Sequence, residues 1–179
     1  PVIRRHMTNH EEFDLLDLTQ EQQATNFQTQ LHIDNVRMWL RRVRHDLEKR
    51  ESRHDQSKLR PPEVQIFTEY TGRLKGLTYG SAEYKACLVA MGPALQHHYA
   101  ENASHHPEGN PEGIDGMNLV DMIEMLCDWK AATLRHANGN LRTSIEFNAG
   151  RFGMSPQLKR LFLNTVDHLW MDVQDGADK

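Results

Sequence analysis

The sequence predicts an all-α fold, a single-domain helical bundle. Apolar residues recur at helical spacing in several long segments, and no strand is strongly indicated. Capping residues, prolines and glycines separate these segments. The chain has 179 residues, of which 38% are apolar and 26% charged, so it is long enough to bury one sizeable core.

The N-terminal third is predicted to be dominated by one long helix. Thr19 or Thr25 can cap this helix, which runs to about Arg50. His32 shares helical spacing with Val36, Trp39 and Val43, which predicts that His32 faces inward. The predicted boundaries are an N-terminal arm at residues 1–25, a helical domain at residues 26–171 and a disordered tail at residues 172–179.

Five further helices follow, each with a start or stop signal. Pro61-Pro62-Glu63 opens one, residues 71–81 form a loop, and Ser81 caps a helix to about Glu101 with a kink at Pro93. Residues 102–116 are predicted to have an ordered start and a mobile tail that could cover a site. The last three predicted helices run from Asn118 to about His136, over residues 141–152, and from Ser155-Pro156 to about Met171.

Composition argues against several classes of protein. The net charge of -4 argues against a protein that binds the nucleic-acid backbone, which usually has a basic face. No apolar run approaches the ~20 residues that span a membrane, and no signal pattern opens the chain. Cys87 and Cys127 are isolated, as expected in a reducing cytosol. We therefore expect a cytoplasmic protein, in the host cytoplasm if a phage encodes it.

Histidine is the informative residue type, with 11 in the chain. In His54-Asp55, an imidazole and a carboxylate can reach one cation together, and the second carboxylate oxygen can bridge to another cation. Histidines also occur in His97-His98 and in His105-His106-Pro107-Glu108. A second pair, His45-Asp46, lies roughly 220° around the long helix from His32 and is predicted to face solvent. His6 and His10 are predicted to lie at the surface.

Carboxylates also line one predicted helix. Asp121, Glu124 and Asp128 lie at i, i+3 and i+7 on an otherwise apolar helix. Burying such carboxylates costs several kcal/mol each unless a cation, or a Lys or Arg partner, offsets it. The sequence leaves open whether a bound cation or a Lys or Arg partner compensates these carboxylates. Another stripe, made of Ser144, Asn148 and Arg151, would bind substrate or face water.

The order of these residues resembles the HD superfamily of helical metal-dependent phosphohydrolases. His54-Asp55-Gln56-Ser57-Lys58 looks like its H-D-x-G-K motif, with Ser57 in place of Gly. Over about residues 26–170 the chain more closely resembles a small uncharacterised family of bacteria and phages. The marks of that family here are His54-Asp55-x-Ser57-Lys58, Tyr79-Gly80-Ser81, His97-His98-Tyr99, His105-His106-Pro107-Glu108, Glu124-Met125-x-x-Asp128-Trp129 and Asn148-x-x-Arg151-Phe152.

The HD resemblance implies a set of metal ligands. Carried over, it places a first metal on His32, His54, Asp55 and Asp128. Asp55 would bridge to a second metal held by His98 and by His105 or His106. Two alternative ligand assignments stay open: His97 could replace His98, and Asp121 could replace Asp128. One or two ions are implied, with Mn, Fe, Zn, Co and Ni all suited to these ligands.

The resemblance also implies an activity, hydrolysis of a phosphate ester or anhydride in a nucleotide or related small molecule. Asp55, Lys58 and Glu124 would be catalytic, with Glu124 either orienting the ligands or acting as a general base. Lys58 and Arg151, with Ser144 and Asn148, would bind substrate. Alternatives are an HD-fold di-iron oxygenase and a non-catalytic, metal-stabilised interaction protein of a phage or bacterium. The expected partner is the phosphorylated substrate, with no membrane and no nucleic acid, and homo-oligomerisation is left open.

Overall fold

The computed structural model describes residues 18–78, 80–135 and 139–170, and in these ranges every regular element is a helix. This confirms the all-α prediction. The α-helices are α1 (Gln20–Arg53), α2 (Glu63–Lys75), α3 (Ala82–Ala90), α4 (Gly92–Glu101), α5 (Leu119–Thr133), α6 (Leu141–Arg151) and α7 (Pro156–Trp170). Short 3-10 helices are Gln56–Leu59, Pro107–Gly109 and Gly113–Gly116.

Several predictions concern residues outside the described ranges. These are His6 and His10 with the first 17 residues of the predicted arm, Tyr79, the helix ends predicted at about His136 and Met171, and the tail from residue 172. The described chain divides into two compact units, Pro1–His45 and Asp46–Lys179. None of the described helices is both long enough and apolar enough to cross a membrane.

The described part of the first unit is dominated by helix α1. The helix begins with a reciprocal cap, because Gln22 N donates to Thr19 Oγ1 (3.2 Å) while Thr19 N donates to Gln22 Oε1 (2.8 Å). The predicted inward face is wrong: His32, Val36 and Trp39 are exposed, and α1 contains no buried residue. Periodicity shows that one face of a helix is apolar, but not whether any part of the same chain covers it.

The second unit contains helices α2 to α7. Ser81 Oγ accepts from Tyr84 N (3.1 Å) and caps α3, as predicted. The single helix predicted over residues 82–101 is instead two helices, α3 and α4, which meet at Met91. Pro93 explains the break, because proline lacks the N–H that would continue the helical hydrogen bonds and its ring clashes with the preceding turn.

Residues 102–116 differ from the mobile lid that the sequence suggested. Two 3-10 helices lie within this segment, and Ile114 is 5% exposed. Ile114 and the following Met117 belong to the core cluster. The glycines that suggested mobility instead permit close packing: a Cβ on Gly109 would overlap the backbone carbonyl of Tyr99 in α4. The segment is therefore anchored to the body of the unit.

Helices α5, α6 and α7 enclose the main hydrophobic core. Asn118 and Asp121 form a capping box at the start of α5, and Asn140 caps α6 by accepting from Thr143 N. The core cluster consists of Ile114, Met117, Met125, Leu126, Leu141, Ile145, Phe162 and Val166. By burying Met125 and Leu126, this core fixes the rotation of α5 and with it the direction of its acidic stripe.

Candidate metal centre

The centre forms around Asp55, directly after the end of α1. Asp55 has φ 57° and ψ 13°, a left-handed conformation that is uncommon for residues other than glycine but tolerated better by Asp than by most. The 3-10 helix that follows, Gln56–Leu59, places the Lys58 side chain against this carboxylate. Lys58 Nζ lies 2.5 Å from Asp55 Oδ2, and Lys58 N donates to Asp55 O (3.0 Å).

One group of possible ligands surrounds Asp55 Oδ1. His98 Nε2 lies 3.3 Å and His105 Nε2 3.4 Å from this oxygen. His106 Nε2 lies 2.9 Å from His98 Nε2, so the group has four members. His98 and His105 are each 1% exposed, so their ring nitrogens are shielded from water. Three imidazoles and one carboxylate oxygen thus converge in a buried space.

A second group lies on the other oxygen of Asp55. His54 Nε2 is 3.6 Å from Asp55 Oδ2 and 3.6 Å from Asp128 Oδ1. His54, Asp55 and Asp128 are close enough together for one ion. The two groups share Asp55 as their common member, so one carboxylate faces both.

Glu124 contacts two of the histidine rings on the side that faces away from Asp55. Its Oε1 lies 3.1 Å from both His54 Nδ1 and His105 Nδ1, which leaves the Nε2 atoms directed at Asp55. Its Oε2 accepts from Arg50 Nη1 (2.9 Å) and from Ser104 Oγ (3.0 Å). Glu124 thereby orients two rings, as second carboxylates do at many metal-binding histidines.

Arg50 was not singled out by sequence reasoning. Its Nη1 lies 2.8 Å from Asp121 Oδ1, and its Nε donates to Asp46 Oδ2 (2.9 Å). Asp121 is therefore paired with Arg50 and belongs to none of the ligand groups among the described residues, whereas Asp128 does. Burial alone would lower the pKa of Arg50, but the carboxylates of Asp46, Glu124 and Asp121 raise it.

Glu63 was also missed as a member of the site. It is fully buried, and its two oxygens lie 2.7 Å from His97 Nδ1 and 2.9 Å from His98 Nδ1. The same His98 nitrogen lies 3.3 Å from Ser57 Oγ and 3.1 Å from Asn102 Nδ2. In the sequence Glu63 looked like an ordinary acidic residue of a first helical turn, so no local signal pointed to this role.

The electrostatics of the centre are dominated by its carboxylates. Asp128 and Glu124 raise the pKa of His54 to about 10. Burial alone would raise the pKa of Asp55, yet nearby His105, His98 and Lys58 hold it well below its usual range. Burial, reinforced by His105 and His98, lowers the pKa of His106 to about 3. The carboxylates thus favour protonation of His54, whereas burial and the neighbouring histidines disfavour protonation of His106.

Three buried atoms test whether these residues fit a metal ion. Asp55 Oδ1 and both ring nitrogens of His105 have no hydrogen-bond partner, because their neighbours lie nearby without hydrogen-bond geometry. Buried polar atoms are nearly always satisfied. Two of the three, Asp55 Oδ1 and His105 Nε2, face each other at 3.4 Å, and this requires an explanation. Imidazole nitrogens facing a carboxylate oxygen form a donor set for a transition metal. These buried clusters could hold a metal ion.

The remaining predicted ligands lie elsewhere. His97 is 40% exposed at its side chain and is outside the ligand groups found among the described residues, whereas His98 is inside one. His32 lies in the first unit and also belongs to none of these groups. Its place among the ligands stays a prediction.

The predicted substrate-binding residues of α6 are Ser144, Asn148 and Arg151. Arg151 pairs with Glu108, whose other oxygen is 3.9 Å from His106 Nδ1. Asn148 is 2% exposed and its Oδ1 has no hydrogen-bond partner, while Ser144 is half-buried. Arg151 is thus linked to the centre through one intervening carboxylate.

One comparison with known proteins gives a match. A family model described as a family of unknown function (DUF5662) matches residues 21–168. No curated protein and no solved structure matches the chain.

Proposed function

Since the chain belongs to the DUF5662 family, whose description names no function, we propose from the site itself that it is a metal-dependent phosphohydrolase. Its proposed substrate is a nucleotide or a related small phosphorylated molecule. The observation that carries the proposal is the position of Asp55 between two ligand groups. One of its oxygens faces His98 and His105, and the other faces His54.

A shared carboxylate supports two ions rather than one. In the proposal, Asp55, His98, His105 and His106 hold one ion, and His54, Asp55 and Asp128 hold the other. Two divalent cations in such a site would lower the pKa of a water between them and neutralise charge on a phosphoryl group. The donors suit Mn, Fe, Zn, Co or Ni, which prefer imidazole mixed with carboxylate.

Two carboxylates, Glu124 and Glu63, orient the histidine rings of this centre. Glu124 lies against the Nδ1 atoms of His54 and His105, and Glu63 lies against Nδ1 of His98. These contacts keep the three ring planes fixed and the Nε2 atoms directed inward. Glu124 is therefore better placed to orient ligands than to act as a general base. Of the two roles that the sequence left open for Glu124, its contacts favour the first.

Lys58 is the proposed contact for the substrate phosphate. Its Nζ lies at Asp55 Oδ2 and 5.4 Å from the centre of the Phe67 ring, at the edge of the ligand groups. An ammonium on a flexible stem can turn from this carboxylate to a phosphate as a point charge. Arg151 would contact a more distant part of the substrate, since Glu108 separates it from His106.

A di-iron oxygenase is the second candidate, and the histidine content of the site is compatible with it. Four of the six residues in the two ligand groups are histidines, which suit iron as well as manganese or zinc. Dioxygen chemistry would require iron and would consume oxygen. The donor set alone therefore does not separate the two reactions, but metal content and oxygen uptake do.

The decisive experiment measures phosphate and pyrophosphate release from a nucleotide panel, with each of the five metals supplied separately. Cyclic and hyperphosphorylated nucleotides belong in the panel. We expect turnover that Asp55→Ala abolishes and that Lys58→Ala weakens while metal stays bound. Metal-replete protein that releases neither product overturns the proposal, and oxygen uptake with iron bound favours the oxygenase.

A further inference from the structure

Helix α1 carries an exposed apolar seam that the metal centre does not use. Ile33, Val36, Leu40 and Val43, here called the seam, follow one another at spacings of three, four and three residues. This is the a/d spacing of two heptads, the pattern by which helices pack side by side. Leu40 is 64% exposed, and the neighbouring Trp39 is 58% exposed.

The exposed apolar area is large for a surface that stays uncovered. The seam and Trp39 together leave on the order of 450 Å² of apolar side chain accessible on each chain. Two such faces, with the aliphatic stems of the flanking Arg37 and Arg44, would bury about 1,000 Å², the lower limit for a specific interface. The area is therefore sufficient for one helix to pair with another helix of the same kind.

We propose that the seam pairs with the seam of a second copy of this chain, in parallel. An identical helix presents the same heptad spacing, so the two seams are complementary without any other partner. In a parallel pair Trp39 lies opposite Arg44 of the second copy, where a guanidinium can stack on the indole. An antiparallel pair would instead bring Arg37 opposite Arg44, and two like charges repel.

A matched pair of variants on the same helix tests this pairing in the full chain. Leu40→Glu places a charge in the seam, whereas Met38→Glu places the same charge on the opposite side of α1, at a residue that is 49% exposed. We expect the native chain and Met38→Glu to be dimers by light scattering. Leu40→Glu should raise the dimer dissociation constant by about 100-fold or more.

Cross-linking gives a second measurement that does not depend on a disruptive charge. Cys87 and Cys127 are first replaced by Ser, and Ile33→Cys is then introduced at the start of the seam. A parallel pair brings the two introduced thiols together, so a disulfide-linked dimer should form on mild oxidation.

Three results overturn the proposal. A monomeric native chain shows that the seam does not pair with a second copy. A dimer that survives Leu40→Glu, or that Met38→Glu weakens equally, uses another surface. A native dimer without the Ile33→Cys cross-link excludes the parallel arrangement.

Discussion

Asp55 combines two features that each cost free energy in isolation. A left-handed backbone at a residue other than glycine costs roughly 1–2 kcal/mol, and a buried acceptor without a hydrogen bond costs about 1–3 kcal/mol. Lys58 offsets the charge at Oδ2, but Oδ1 lacks any such partner. A cation between Oδ1 and the imidazoles would offset the cost of burying Oδ1 without a hydrogen bond. A bound metal would therefore stabilise the conformation of Asp55.

The first prediction separates the two His-Asp pairs of the sequence. Asp55→Ala removes the member shared by both ligand groups, so bound metal should fall to near zero. His45→Ala changes an exposed histidine that belongs to none of the described ligand groups and should leave metal content unchanged. Metal analysis of both purified variants, with circular dichroism to confirm folding, provides the measurement. Equal loss of metal in two folded variants would show that the wrong pair was chosen.

The second prediction concerns Glu63, which lies against the Nδ1 atoms of two histidines. In Glu63→Gln one carboxylate oxygen becomes an amide NH2, which cannot accept from a ring N–H and faces it as a second donor. We expect metal affinity to fall by about 10- to 100-fold, the usual effect of losing such an orienting carboxylate. Glu69→Gln, on the same helix but 55% exposed, is the matched control for metal titration.

A purely structural role for Glu63 would give a different result. In that case Glu63→Gln would lower the melting temperature of the metal-free protein and leave metal affinity at the level of the Glu69→Gln control.

At the scale of elements, sequence periodicity predicted the acidic stripe of α5 well. Asp121, Glu124 and Asp128 lie on one side of that helix while Met125 and Leu126 enter the core. Their partners were not predictable in the same way. Arg50 lies 74 residues from Glu124, and such a long-range pair leaves no periodic trace in a single sequence.

The failures of sequence reasoning have equally specific causes. The apolar face of α1 was correctly identified as apolar, but its burial was not, because burial depends on what packs against a helix. Residues 102–116 looked mobile because they contain three glycines. In the fold, Gly109 instead lets the backbone pack closely against Tyr99, and Gly116 lets it pack closely against Asn110. The nearby Ile114 is buried and anchors the segment.

The third prediction tests that anchoring. In Gly109→Ala the new methyl group would overlap the backbone of Tyr99, so the 3-10 helix after His105 and His106 must shift. We expect a loss of about 2 kcal/mol in the free energy of unfolding, together with reduced metal affinity. Denaturant titration and metal titration measure the two effects.

Gly150→Ala is the matched control for this substitution. Gly150 lies within α6, and a Cβ there meets nothing within 4 Å. Since alanine favours helix over glycine, the control should gain up to about 1 kcal/mol of stability. If Gly109→Ala behaves like the control, the segment is not anchored as described.

At the scale of the second unit, the centre draws its ligands from three separate segments. His54 and Asp55 follow α1, His98 lies on α4 with His105 and His106 just beyond it, and Asp128 lies on α5. A metal ion on these residues would therefore connect segments that are distant in the chain. An ion that binds only the folded arrangement stabilises it by mass action.

The last prediction follows from this connection. At about 100 times its dissociation constant, a bound ion should add about 2.7 kcal/mol to the free energy of unfolding, which corresponds to a rise of roughly 5–10 °C in Tm for a chain of this size. Thermal melts with Mn, Fe, Zn, Co or Ni added to chelator-treated protein measure the shift. Calcium should produce little, because it prefers oxygen ligands and this site is rich in imidazole. The shift should disappear in Asp55→Ala and persist in His45→Ala, and an equal rise in all three proteins would mean that the ion binds away from Asp55.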